Sequence, residues 1–179
     1  MTLKSTKSGY GRFTQILHWI NTLFVIGLFY TGISLEKITD EIAKAGYLRI
    51  HIGVGLILTA LVIIRIIWYF VDVTPEPPSE MFSLRLMAFK AAHLFLYLGL
   101  LALVGSGIWI LFASGIGLSF ADISSDMIAN NLPPVAAHGV VAIALLLIVL
   151  IHIAGVLSYQ IFKGDVLHRM GISWFKHDS

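Results

Sequence analysis

Four long apolar runs alternate with short polar stretches along the chain. The first, 13–35, follows the polar and basic opening MTLKSTKSGYGR. It is too long for the apolar segment of a signal peptide, and no small-residue cleavage site closes it, so it reads as a retained span. The stretch EKITDEIAKAG breaks the pattern before the second run, 47–71. That run stops at Asp72, ahead of Pro75, Pro77 and Pro78, which cannot continue a helix. The third run, 87–112, leads into Gly115, Gly117 and a polar loop reaching Asn131. Pro133 and Pro134 suit the opening turn of a helix over 135–162, where a missing N–H costs nothing. A polar tail follows from Lys163. Each run is long enough to cross a hydrocarbon layer of about 30 Å. Backbone groups in lipid must be satisfied within the segment, and no short alternating strands of a barrel are visible, so the runs should be helices. The pattern predicts an all-α membrane protein: a four-helix transmembrane bundle forming a single domain over 1–179. No internal repeat is visible in the sequence.

Composition sharpens this picture. Hydrophobic residues make up 58% of the 179 and charged residues 12%, where a soluble domain carries roughly 45–50% and about 25%. With a mean hydropathy of +0.88, a disordered chain is excluded and a water-exposed globule is strongly disfavoured. The absence of cysteine removes disulfides, zinc thiolates, iron–sulfur clusters and thiol nucleophiles. A net charge of +2 does not point to nucleic acid, because membrane proteins gather Lys and Arg on cytoplasmic loops. Lys4, Lys7, Arg12, Arg65, Arg85, Lys90, Lys163, Arg169 and Lys176 fall on one side of the predicted bundle, and Lys37, Lys44 and Arg49 on the other. That imbalance predicts both termini in the cytoplasm.

The chemistry lies in the seven histidines. His18 and His93 fall near the cytoplasmic ends of the first and third spans, and His51 near the outer end of the second. His138 opens the fourth span at the outer side, and His152 follows 14 residues later. Fourteen residues return to within about 40° of the same helix face and rise about 21 Å. One helix thus offers two inward histidines, one per leaflet, with His51 at the depth of His138 and His18 at the depth of His152. His93 shares that inner depth, and spacing alone does not exclude it as a ligand. His168 and His177 lie in the tail and read as solvated. A single histidine in a span is as well explained by a helix–helix hydrogen bond, but four that pair by depth are functional candidates. Zinc wants three or four ligands at one point; two ligands at each of two depths suit an iron porphyrin, which needs only its axial positions filled. Gly53, Gly55, Gly139, Ala142, Ala154 and Gly155 would allow a flat macrocycle close approach. Arg65, 14 residues after His51, would either pair with a propionate of the inner haem or snorkel to the headgroups. Arg49 would serve the outer haem in the same way.

These residues carry a resemblance. Arg12-Phe13-x4-His18-Trp19, His51-x-Gly53-x-Gly55 with Arg65, His93-x3-Tyr97, His138-Gly139 with His152, and Lys163-Gly164-Asp165-x3-Arg169-Met170 occur in order over nearly the whole chain. The chain thereby resembles the prokaryotic cytochrome b-561 family, related to cytochrome b subunits of hydrogenases and formate dehydrogenases. Gly164 departs from the expected Lys-Asp pattern, and the third span lacks a proline before Ser106-Gly107. The resemblance implies a multi-pass protein of the bacterial inner membrane with two b-type haems. It implies His18 with His152 as axial ligands of the cytoplasmic-side iron, His51 with His138 on the outer one, and His93 beside the haem or on a quinone side. It further implies electron exchange with ubiquinone or menaquinone in the bilayer, and an outer-face donor such as superoxide or a redox protein. The alternative reading is a membrane-anchor subunit of a hydrogenase or dehydrogenase. Bis-histidine ligation leaves no open iron position, which suits an electron carrier or quinone-linked oxidoreductase without a catalytic side chain of its own.

Overall fold

A computed structural model describes residues 2–77, 83–118, 123–124, 126–128, 132–164 and 166–172. Four long helices carry the fold: α1 (Arg12–Lys37), α2 (Glu41–Val71), α3 (Ser83–Ala113) and α4 (Pro133–Phe162). All four are long and apolar enough to cross a membrane. A short α5 (Val166–Arg169) follows. Asp165, Lys176 and His177 lie outside the described residues.

The connection between α1 and α2 is tighter than the polar pattern suggests. α1 continues to Lys37 and α2 begins at Glu41, well before the expected Tyr47. Asp40 caps α2 by accepting from the Ala43 N–H at 2.8 Å, and Glu41 in the first turn favours the helix dipole. Polar residues such as Glu41 and Lys44 are good helix formers; they mark where the helix leaves the apolar layer, not where it ends. At the far end of α4, Gly164 adopts φ +76° and donates to the Tyr159 carbonyl. This left-handed cap explains the glycine that departs from the expected tail pattern.

The helices pair as two antiparallel hairpins. In the first, Trp68 reaches Thr14, Arg65 reaches His18, and Thr31 reaches His51. In the second, His93 meets His152, Gly99 meets Leu145, and Ser106 meets His138. The residue numbers in each set add to nearly constant sums, so both hairpins hold one register along their length. Arg65 of α2 donates to the Tyr97 hydroxyl of α3 at 2.9 Å and joins the hairpins.

Polarity is arranged for a lipid solvent. Leu23, Ile26, Ile67, Phe70, Leu147 and Ile161 face outward, while Asn21, Thr31, Ser106 and Gln160 are buried beside Leu58, Val62 and Leu145. In hydrocarbon an apolar exterior costs nothing, and interior polar groups mark helix contacts or sites. At one end of the bundle the tail folds back. Gln15 and Trp19 of α1 donate to the carbonyls of Arg169 and Met170, and Arg169 donates to those of Ser8 and Glu76. The segment before α1, the turn after α5 and the start of the α2–α3 connection therefore meet on one side of the bundle.

Candidate functional site

The layer nearer the α1–α2 connection, the outer one in the predicted topology, is built from one histidine of each hairpin. His51 on α2 and His138 on α4 face each other across the bundle, their ring centroids 6.2 Å apart and their planes at 76°. Each ring has a hydroxyl behind it on the neighbouring helix of its own hairpin. Thr31 Oγ1 lies 2.8 Å from His51 Nδ1, and Ser106 Oγ lies 2.8 Å from His138 Nδ1. The following residue is glycine in both places. A Cβ on Gly32 or Gly107 would stand 3.5 Å from the Cε1 of the adjacent ring. The backbone of α1 and α3 therefore approaches each imidazole edge closely. Sequence reasoning did not find Thr31 or Gly32, and met Ser106-Gly107 only as part of the family pattern, with no role beside His138. The signal was a hydroxyl–glycine dipeptide toward the C-terminal end of both α1 and α3.

The layer toward the other end of the bundle, the inner one in the predicted topology, holds three histidines. His93 and His152 lie edge to face within the second hairpin, with centroids 5.0 Å apart. His93 Nδ1 is 2.8 Å from the Phe89 carbonyl; a carbonyl only accepts, so this nitrogen carries the proton and Nε2 is left as an acceptor. His18 of the first hairpin has Arg65 behind it, with Nη2 at 3.4 Å from Nδ1. Arg65 is thus held inside the bundle by Tyr97 and His18, and does not extend to the headgroups.

Other sequence candidates fall elsewhere. Arg49 donates to the Ile123 carbonyl at 3.1 Å and lines an outer cleft of about 300 Å³ with Glu41, Ile42, Ala45, Ser124 and Asp126. A Cβ on Gly139 or Gly155 would meet nothing within 4 Å, so these glycines face open space and not a close neighbour. His168 is exposed.

A family model described as prokaryotic cytochrome b561 matches residues 9–171. The chain belongs to that family. It is also similar to cytochrome b561 homolog 2 of Escherichia coli (strain K12), at 30% identity over 118 residues. That stretch is 64% of this chain and 62% of the relative, so the chain spans less than two thirds of the relative's length. As a prokaryotic cytochrome b561 with four membrane-length helices, it is a multi-pass protein of the bacterial inner membrane, and the family implies a b-type haem.

The residues present fit such a group. Every candidate donor is an imidazole, the ligand type of b haems. Two metal–nitrogen bonds of about 2 Å, with half a ring beyond each, come close to the 6.2 Å between His51 and His138. One turn from His18, the Asn21 amide is buried at 5% exposure. Neither of its polar atoms has a partner among the described residues, and an unmet amide in an apolar interior is costly.

Proposed function

We propose that this cytochrome b561 carries electrons across the inner membrane, from a one-electron donor at the outer face to the quinone pool, through two b-type haems. His51 and His138 hold the outer haem, and His18 and His152 the inner one. When bound, each haem would supply a one-electron iron couple.

The observation that carries the assignment is the shared register of the hairpins. Thr31 stands behind His51 where Arg65 stands behind His18, and Ser106 stands behind His138 where His93 stands behind His152. Each of the four proposed ligands thus has a polar neighbour within its own hairpin, and His51 and His138 face each other across the bundle. On this reading His93 supports His152, and its 5.0 Å ring contact is shorter than the 6.2 Å span of the outer pair.

The chain's residues then divide the work. The cleft beside Arg49 receives the donor, with Arg49 as the cation among its lining residues, beside the carboxylates of Glu41 and Asp126. His93, Arg65 and Tyr97 offer polar groups to a quinone at the inner layer. Two electrons delivered singly and two protons convert one quinone to quinol. With superoxide as donor, two superoxide ions become two dioxygen molecules in the same turnover.

A redox-difference spectrum with haem and iron quantified tests the ligands. We expect two haems per chain, loss of one in His51→Ala or His138→Ala, and loss of the other in His18→Ala or His152→Ala. A His93→Ala variant that loses a haem while His18→Ala keeps both overturns the inner assignment. Stopped-flow reoxidation of the reduced protein by a soluble quinone analogue tests the acceptor. A rate no faster than in a quinone-free control removes the quinone and leaves the membrane-anchor reading.

A further inference from the structure

The supporting hydroxyls are placed to do more than pack. Besides facing His51, Thr31 Oγ1 lies 3.0 and 3.1 Å from the carbonyls of Gly27 and Leu28 in its own helix. Ser106 Oγ likewise lies 3.0 Å from the Leu103 carbonyl. A hydroxyl has one proton to give, and a carbonyl can only accept. With that proton committed to the helix backbone, each hydroxyl meets its histidine as an acceptor. Nδ1 of His51 and of His138 must then carry the proton, which leaves both Nε2 lone pairs for a metal.

An acceptor on the far side of a ligating imidazole raises its basicity. A more basic ligand stabilises oxidised iron over reduced iron and lowers the potential. The inner layer lacks this device on its first hairpin. There the fixed positive charge of Arg65 stands behind His18 at 3.4 Å, and a nearby cation favours reduced iron.

We propose that Thr31 and Ser106 are positioning residues that fix the Nδ1–H tautomer of His51 and His138 and hold the outer haem at a lower potential than the inner one. The two layers then form a downhill step from the outer face inward. This inference rests on the ligand assignment and the direction of flow proposed above, and it names two hydroxyls that set the potential step.

Potentiometric titration followed by absorbance supplies the test. The wild type should resolve two one-electron components, and His51→Ala identifies the outer one by its loss. Combining Thr31→Val with Ser106→Ala should raise the lower component and leave the other in place. Thr31→Ser, which keeps the hydroxyl, should restore the wild-type value. A lower component that stays put, or two components that move together, overturns the proposal. If the double variant binds no haem, ¹⁵N spectra of histidine-labelled, haem-free wild type decide the matter. Nδ1–H tautomers at His51 and His138 support the proposal, and Nε2–H tautomers or even mixtures refute it. If His51→Ala and His138→Ala keep the full haem content, the ligand assignment itself has failed, a result distinct from an unmoved potential.

Discussion

Asp72 ends α2 and gathers hydrogen bonds from three separated pieces of chain, so its removal should loosen one end of the bundle selectively. Its Oδ1 accepts from the Ser5 N–H at 2.9 Å. Its Oδ2 accepts from the hydroxyls of Ser5 and Thr14 and from Trp68 Nε1. A hydrogen bond to a charged group contributes about 1.5–3 kcal/mol when shielded. Asp72 is only half-buried, so water replaces part of what Asp72→Ala removes, and Trp68 retains Thr14 as an acceptor at 3.0 Å. We expect a net loss of about 2 kcal/mol, or a fall of roughly 4–8 °C in Tm for a chain of this size. Burial pushes the carboxyl up, but the hydrogen bonds from Ser5 and Thr14 outweigh it, and its pKa lies below the usual carboxylate value. A depressed folded pKa contributes stability that is present above the unfolded value of about 3.9. That contribution disappears as pH falls through the folded pKa. Thermal melts in detergent, followed by circular dichroism at neutral pH and near pH ~3, provide the assay. The wild type should lose stability on acidification, and Asp72→Asn should lose less. Because Trp68 lies within one turn of Arg65, Asp72→Ala should also release the inner haem before the outer one. An unchanged Tm at neutral pH, or an equal acid loss in Asp72→Asn, refutes the reasoning.

Three further outcomes are expected. Leu145 is 1% exposed and packs against Gly99. Leu145→Ala should cost about 1–2 kcal/mol by thermal melt, at or below the aqueous range of 2–5, because separated helices in lipid keep the side chain in hydrocarbon and only packing is lost. Reporter fusions at Ser124 and Ser179 should give outer and cytoplasmic signals respectively; a cytoplasmic signal from Ser124 reverses the orientation and exchanges the two haem labels. His93→Ala should retain two haems and slow reoxidation by a quinone analogue, as read by stopped-flow absorbance.

The four helices are legible because lipid leaves the backbone one option, so that hydropathy alone locates each span. The ends are less legible. Glu41 and Lys44 signal water to a hydropathy window while favouring a helix, so the polar pattern places the start of α2 too late. The fold-back of Arg169 and Met170 onto Gln15 and Trp19 depends on contacts more than 150 positions apart in sequence, which no local pattern encodes.

The site is legible where chemistry is rare and hidden where it is common. A histidine in an apolar span is conspicuous, and its depth follows from helix rise, so the sequence by itself pairs His51 with His138. A threonine or serine in such a span is unremarkable, since either can bond its own backbone. What gives Thr31 and Ser106 their meaning is register. Thr31 stands 20 positions before His51, and Ser106 stands 32 before His138. The unequal intervals conceal in sequence a correspondence that the antiparallel hairpins make plain in space. The same register sets Arg65 behind His18 and His93 behind His152. The two layers therefore share one plan and differ in the groups that fill it, hydroxyls at one depth and a cation with a third imidazole at the other. On the proposed two-haem reading, a difference of that kind is what a directed relay would require, since identical surroundings would leave an electron no preferred side.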